Sequence, residues 1–506
     1  MKKISTLLLS LGLLVFSSCE DDLDQVPISS GSVPTFYKTA DDFTQALTAV
    51  YSSLRYSTAG GYPDRLYNLA ETRSDNLYAV ADIAGVREWE PINNFATTLA
   101  SNSYIAEAWN TNYASIFRAN TFLDQLATNG TTVDDATRAR YEAEAKFLRA
   151  FFYFDLVRYF GKVPILDKPL GADEAAKVSR SPVADVYQLI MADLQTAISG
   201  LPVSYTGSGN VFRATSGAAK TLLALVHMTR SGPTYGIEGP GLAVNEYAQA
   251  AKLLNEVIAS GRYSMLPSYT NIFSYTNENN AEVIFDVQYV SGGQNLGATY
   301  PGQIVSDDLF TALRIPFSSG SPDARFASNN LVNSYPTGDV RKAATFTLNY
   351  TNITGFNETR PTITKYLNPS LRGVSRFDWP INFIVMRYTD VLMMRAECIL
   401  HGAGGTQADV DNIVNQVRAR AGISGTLTGV TMAQLMEERR REFAGEGLRW
   451  HDLVREGMAL TTINAWITQD DVKRRMNTIV PNYVIYPVPL TELTTVPNLY
   501  EQNPGY

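Results

Sequence analysis

Histidine and cysteine are nearly missing from this chain, which has three histidines (His227, His401, His451) and two cysteines (Cys19, Cys398) in 506 residues. They are widely spaced, so they form no zinc-type ligand pattern, and no metal site or cofactor is read from the sequence. No Gly-x-Ser-x-Gly elbow is present, which removes the commonest serine-hydrolase signature. No basic run could follow a phosphate backbone, and Lys+Arg of 42 against Asp+Glu of 50 gives −8, so nucleic acid is excluded as a partner. The ligand is expected to be neutral or modest in charge. A charged fraction of 18% beside 45% hydrophobic residues is that of an ordinary folded protein, and a disordered chain would be poorer in aromatics.

The N-terminus carries transport information. Lys2 and Lys3 open it, an apolar stretch runs from Ile4 to Phe16, and the small residues Ser17 and Ser18 precede Cys19. Residues 1–18 read as a signal peptide, too short for the roughly 20 apolar residues that span a bilayer. A cysteine directly after two small residues resembles a bacterial lipobox, with Phe16 where leucine is usual, and Cys19 is therefore the expected lipidation site. Several acyl chains suffice for stable anchoring. Glu20, Asp21, Asp22 and Asp24 follow in an acidic tether, 19–34. Cys398 lies in an apolar helical run, 391–400, and reads as a buried, inert thiol.

Helical periodicity dominates the first half and the C-terminal part. In 141–160, Phe147, Ala150, Phe151, Phe154 and Val157 fall on one face, Glu142 and Lys146 form an i,i+4 pair, and Gly161 with Pro164 ends the helix. Other helices are expected at 41–54, 103–126, 183–199, 216–229 and 245–260. Paired helices of this kind suggest tetratricopeptide-like stacking with an eroded consensus. Two stretches break the pattern: 60–101, rich in Gly, Asn, Asp and aromatics, and 289–380, which holds only short strand-like pieces such as 345–349. Long irregular segments in a compact domain are usually functional, and the aromatics here (Tyr300, Phe310, Phe317, Phe326, Tyr335, Tyr350, Tyr366, Phe377, Trp379) favour order.

Five blocks, in order, resemble the SusD/RagB family of outer-membrane nutrient-binding lipoproteins. They are Lys146 to Ala150 with Tyr153 to Gly161 and Val163-Pro164; Glu282 to Phe285; Arg387 to Leu392 with Arg395-Ala396-Glu397; Glu438 to Phe443 with Gly447 to Arg455; and Tyr486 to Pro489 through Gln502 to Tyr506. The resemblance implies a mainly α fold: about four tetratricopeptide-like helix pairs forming a scaffold, with a loop-rich ligand-binding region packed on it. One domain is expected over 35–506, with scaffold at 35–59, 102–288 and 381–460, insertions at 60–101 and 289–380, and a C-terminal tail at 461–506. The resemblance also implies a surface-exposed, lipid-anchored protein of the outer membrane that captures a glycan for a SusC-like TonB-dependent transporter. The RagB side of the family supplies an alternative, peptide or protein capture.

Holding a sugar without cleaving it requires flat aromatic faces against the ring C–H groups, and carboxylates, amides or guanidinium groups for its hydroxyls. The first irregular stretch supplies Arg73, Asp75, Asn76, Tyr78, Arg87, Trp89, Asn93 and Asn94, and the resemblance marks Asp75 and Trp89 as the positions in the family's ligand segment. The second supplies Tyr289, Asn295 and Tyr300. A glycoside hydrolase would need two carboxylates across a cleft. Glu442 and Glu446 have i,i+4 spacing, but Arg439, Arg440, Arg441 and Arg449 beside them point to ion pairs on a helix opened by a Thr431/Gln434 capping box. His401 to Gly405 reads as a glycine-terminated helix end. No catalytic residue is assigned.

Overall fold

The computed structural model describes residues 36–55, 61–80, 87–316 and 324–506. The signal peptide, Cys19, the acidic tether and Phe317 lie outside these residues. The main helices are α1 (Ala40–Ser52), α2 (Ser103–Asn129), α3 (Asp135–Phe160), α4 (Val183–Gly200), α5 (Ser216–Ser231) and α6 (Tyr247–Ala259), then α7 (Tyr388–Leu400), α8 (Gln407–Arg420), α9 (Met432–Glu442), α10 (Arg449–Arg455) and α11 (Ala459–Asp470). From α2 to α9 each packs on the next in chain order, a stack of helix hairpins. Capping boxes set several starts, at Thr39/Asp42, Thr406/Asp409 and the expected Thr431/Gln434. Among the described residues, no helix is long and apolar enough to cross a membrane.

The central helix departs from its sequence pattern. α3 is capped by Asp134, whose side chain accepts from Thr137 N–H at 3.0 Å, and so begins six residues before the Tyr141 start read from the sequence. The Glu142–Lys146 pair is present at 2.6 Å. Instead of one apolar face, however, every residue from Phe147 to Phe160 is buried, because α2 and α4 pack on either flank. Three of its charged residues are answered by partners from elsewhere: Arg149 by Asp193 at 2.8 Å, Asp155 by Arg65 at 2.9 Å, and Glu144 by Arg213 at 2.8 Å. Gly161 stops the helix at φ +67°, where a Cβ would meet Glu238 O at 2.0 Å.

Between α6 and α7 the chain leaves the scaffold and returns. The root of that excursion is an antiparallel pair, β2 (Val283–Val287) with β4 (Phe383–Arg387), in which Val287 faces Phe383. A buried ionic joint binds this root to α8 and α9. Arg387 contacts Glu282 at 2.9 Å, Glu442 at 2.8 Å and Glu446 at 2.9 Å. Arg341, from the excursion, reaches Glu442 at 3.0 Å and Glu438 at 2.7 Å, while Arg420 meets Glu282 at 2.9 Å and Lys365 meets Glu446 at 2.6 Å. The arginines flanking Glu442 in sequence therefore serve other carboxylates: Arg439 pairs with Asp452, Arg440 and Arg449 with Asp75, and Arg441 with Glu438. Cys398 is fully buried, and burial pushes its thiol pKa up. α7 ends on Gly402 at φ +82°, with Ala403 N–H returning to Cys398 O at 2.9 Å, the glycine turn expected there.

Candidate functional site

The two irregular stretches meet. β1 (Leu77–Tyr78), from the first, pairs antiparallel with β3 (Phe326–Ala327), from the second, so that Tyr78 faces Phe326. Ser328 extends the junction, its N–H donating to Asn76 O at 2.8 Å and its hydroxyl to Asp75 O at 2.6 Å. The C-terminal end of α11 closes over the pair and leaves a cleft of about 340 Å³ lined by Tyr78, Phe326, Arg360, Asp470 and Lys473 among others.

Each wall of the cleft is fixed by contacts behind it. The Tyr78 hydroxyl donates to Asp471 Oδ1 at 2.9 Å, and its ring meets Trp466 edge-on at 6.5 Å. Burial, then the Asp471 carboxylate, raise the Tyr78 pKa, so the phenol stays a neutral donor. The Arg360 guanidinium lies 3.8 Å over the Phe326 ring and pairs with Glu358 at 2.6 Å, yet its side chain is still 35% exposed. Asp470 Oδ2 receives Asn330 N–H at 3.1 Å and the Trp466 indole N–H at 3.2 Å. An aromatic wall with phenol, guanidinium, ammonium and carboxylate groups can hold a hydroxyl-rich ring. Among the described residues, no three or more His, Cys, Asp or Glu side chains cluster as metal ligands.

The sequence-based candidates separate into buried and accessible groups. Arg73, Asp75 and Asn76 are each about 1% exposed and bonded within the fold, which leaves them little surface for the expected ligand role, and Arg73 keeps Nε and Nη1 buried with no hydrogen-bond partner. Arg73 donates to Tyr483 O and to the Tyr506 hydroxyl, both at 2.9 Å, with its guanidinium 4.3 Å from the Tyr486 ring. Asp75 gives both carboxylate oxygens to Arg449 at 2.9 Å; burial raises its pKa, but Arg440 and Arg449 outweigh that and bring it down to about 2. Asn76 bridges Glu71 and Arg440. These residues are committed because 62–71, expected within a loop-rich insertion, is instead helical and buried against the scaffold.

Asn93 is also structural, binding Ala79 N–H, Thr72 O and Leu77 O so that it holds β1 in place. Tyr300 and Tyr289 are buried as well, at 0% and 7%, with ring centroids 6.2 Å apart, and the Tyr300 hydroxyl donates to Asn382 O at 3.1 Å. Their burial removes the expected stacking faces. Trp89 packs against Ala79 and Tyr104 and is 9% exposed. Tyr78 and Arg87 are half-buried; so is Asn94, whose Oδ1 is buried with no hydrogen-bond partner, and Asn295 is exposed on a turn at φ +57°. Sequence reading missed Arg360, Asp470 and Lys473, which lie in a segment without a motif and in the tail, and it named Phe326 only as an ordering aromatic.

The Glu442/Glu446 pair has no catalytic electrostatics. Burial raises the Glu442 pKa, but Arg420, Arg387 and Arg341 overcome that and hold it at about 2, while Arg387 and Lys365 likewise lower Glu446. A general acid of the glycosidase kind needs the opposite shift.

Comparison with known proteins matches both halves of the chain. Residues 259–506 match the model described as the SusD family, and 23–228 match one described as starch-binding associating with outer membrane. A SusD-like protein of Formosa agariphila is 26% identical, with 97% of this chain and 98% of that one covered. The starch-binding protein SusD of Bacteroides thetaiotaomicron is 26% identical over 77% of this chain and 76% of its own. Surface glycan-binding protein A from Bacteroides thetaiotaomicron, solved in complex with laminarihexaose, superposes with a TM-score of 0.77 at 25% identity, covering 93% of this chain and 100% of that chain.

Proposed function

Because the chain belongs to the SusD/RagB family, we propose that it is a cell-surface lipoprotein that captures an oligosaccharide or polysaccharide and delivers it to a SusC-like TonB-dependent transporter in the outer membrane. It binds the glycan without cleaving it. In this reading residues 1–18 are removed, Cys19 carries the lipid anchor, the acidic 19–34 segment is the tether, and 35–506 forms one ligand-binding domain on about four helix pairs. A relative named for starch binding and a similar structure holding laminarihexaose support a glycan as the ligand class.

The observation that carries the proposal is the β1–β3 junction. It joins two segments remote in sequence and sets Tyr78, Phe326 and Arg360 around one cleft. Tyr78, Arg87, Trp89, Asn94 and Asn295 are the proposed ligand contacts that stand from the sequence, with Arg360, Asp470 and Lys473 added from the cleft. Affinity electrophoresis through gels containing a panel of polysaccharides tests this. The wild-type protein should be retarded by one glycan, whose chain length stays unchanged on incubation. Tyr78→Ala should weaken that retardation roughly tenfold, the scale of one aromatic contact with its hydrogen bond. Free migration through every gel, together with binding to peptides, would replace the glycan reading by the RagB-like one.

A further inference from the structure

We propose that a second saccharide contact lies on the helical scaffold, in a cavity of about 290 Å³ between α2, the segment at 164–176 and the C-terminal tail at 492–500. The inference rests on the glycan reading above and extends it to a site that shares no lining residue with the Tyr78 cleft.

Three aromatic rings build the cavity wall. The Trp109 centroid lies 5.2 Å from that of Tyr113 and 6.2 Å from that of Tyr500. Trp109 is 3% exposed and forms the support, whereas Tyr113 and Tyr500 are half-buried and keep accessible surface. The Tyr113 hydroxyl donates to Pro164 O at 2.8 Å, which fixes that ring's orientation. A rigid platform is what stacking against a sugar's C–H face requires, since little side-chain freedom is lost on binding.

The polar groups decide the ligand class. Asn110, Thr495 and Glu492 line the same cavity. Burial raises the Glu492 carboxyl pKa and a hydrogen bond from Trp109 lowers it, with no cation among its influences. A carboxylate so placed disfavours an anionic ligand and suits one bearing hydroxyl donors. A purely apolar partner would cover the exposed Asn110 and the half-buried Glu492 without offering either of them a hydrogen bond. A neutral saccharide unit uses both the rings and the polar groups. A polysaccharide long enough to touch both sites gains affinity from the second contact because that step is intramolecular.

Calorimetry with the glycan that retards the wild-type protein tests the site, using both a hexasaccharide and the parent polysaccharide. The hexasaccharide should bind in two steps. Tyr500→Ala and, separately, Glu492→Gln should abolish the weaker step, spare the stronger, and weaken polysaccharide binding roughly threefold to tenfold. Tyr78→Ala should do the reverse to the two steps. Glu492→Gln changes charge without volume, and an unchanged melting temperature verifies its fold. A single-step isotherm that Tyr78→Ala removes and the two tail variants leave intact would overturn the second site while leaving the glycan reading standing. Capture of an apolar peptide but no sugar by this cavity would also overturn it. Absence of glycan binding by the wild-type protein would overturn both.

Discussion

The region around Asp75 and Glu442 and the region around Asp286 bury carboxylates equally deeply and hold them in opposite states. Asp75 and Glu442 lie among guanidinium groups, and their pKa values sit at about 2. Asp286, on β2, is 4% exposed, and its hydrogen bonds come from the neutral amides of Gln288 at 2.5 Å and Asn382 at 3.2 Å. Burial, assisted by nearby Glu278 and opposed by those bonds and a backbone hydrogen bond, raises its pKa to about 7. Depth of burial therefore does not set the charge state of a carboxylate here; the formal charge of its partners does. The arginine-rich joint closes the root of the excursion, whereas Asp286 lines two open clefts, of about 150 and 120 Å³.

Three measurements sharpen this contrast. The largest effect should come from Arg387→Leu, which leaves Glu282, Glu442 and Glu446 short of their shared cation. Breaking a buried ion pair on one side costs about 3–5 kcal/mol, so urea unfolding should show a loss of that size, and an unchanged midpoint would refute the idea of a central joint. Asp286→Asn should act in the opposite direction. A carboxyl raised from 3.8 to about 7 binds its proton more tightly in the folded state, so wild-type stability falls as pH rises from about 4 to about 7. At pH 8 the amide should gain roughly 2–4 kcal/mol, about three pKa units at about 1.36 kcal/mol each as the upper value. Equal stability of mutant and wild type at pH 4 and pH 8 would contradict the assignment.

Asp75→Asn completes the set with the smallest change, a loss of about 2–3 kcal/mol at pH 7. Its folded pKa of about 2 is depressed from 3.8, so its contribution is fully present above about pH 4 and disappears as pH falls through about 2. Unfolding curves across that range should show the mutant and wild type converging. Unchanged stability at pH 7, with glycan affinity lost, would instead return Asp75 to the ligand site.

The helices were legible because their signals are local. Apolar spacing, the Thr431/Gln434 box and the glycine stops at Gly161 and Gly402 all act within a few residues, and observed helices such as Val183–Gly200 agree closely with the pattern. The fate of Asp75 was not legible, because its partner Arg449 is 374 positions away. The same limit applied to α3, whose far side is covered by helices its own sequence cannot announce, and to Tyr289 and Tyr300, which looked like stacking platforms and pack against each other.

Five ordered blocks carried the resemblance to the family, and periodicity marked the helical scaffold, since helices follow from local backbone preference and apolar spacing. Which aromatic and charged side chains face a cleft was decided by packing. Arg73, Asp75 and Tyr78 stand within six residues of one another, yet the first two are drawn into the interior by C-terminal partners, while Tyr78 reaches the junction with Phe326. The reason is physical: a charged or aromatic side chain offers the same chemistry to a protein neighbour as to a ligand, and the nearest satisfied partner in the folded chain determines which of them it meets.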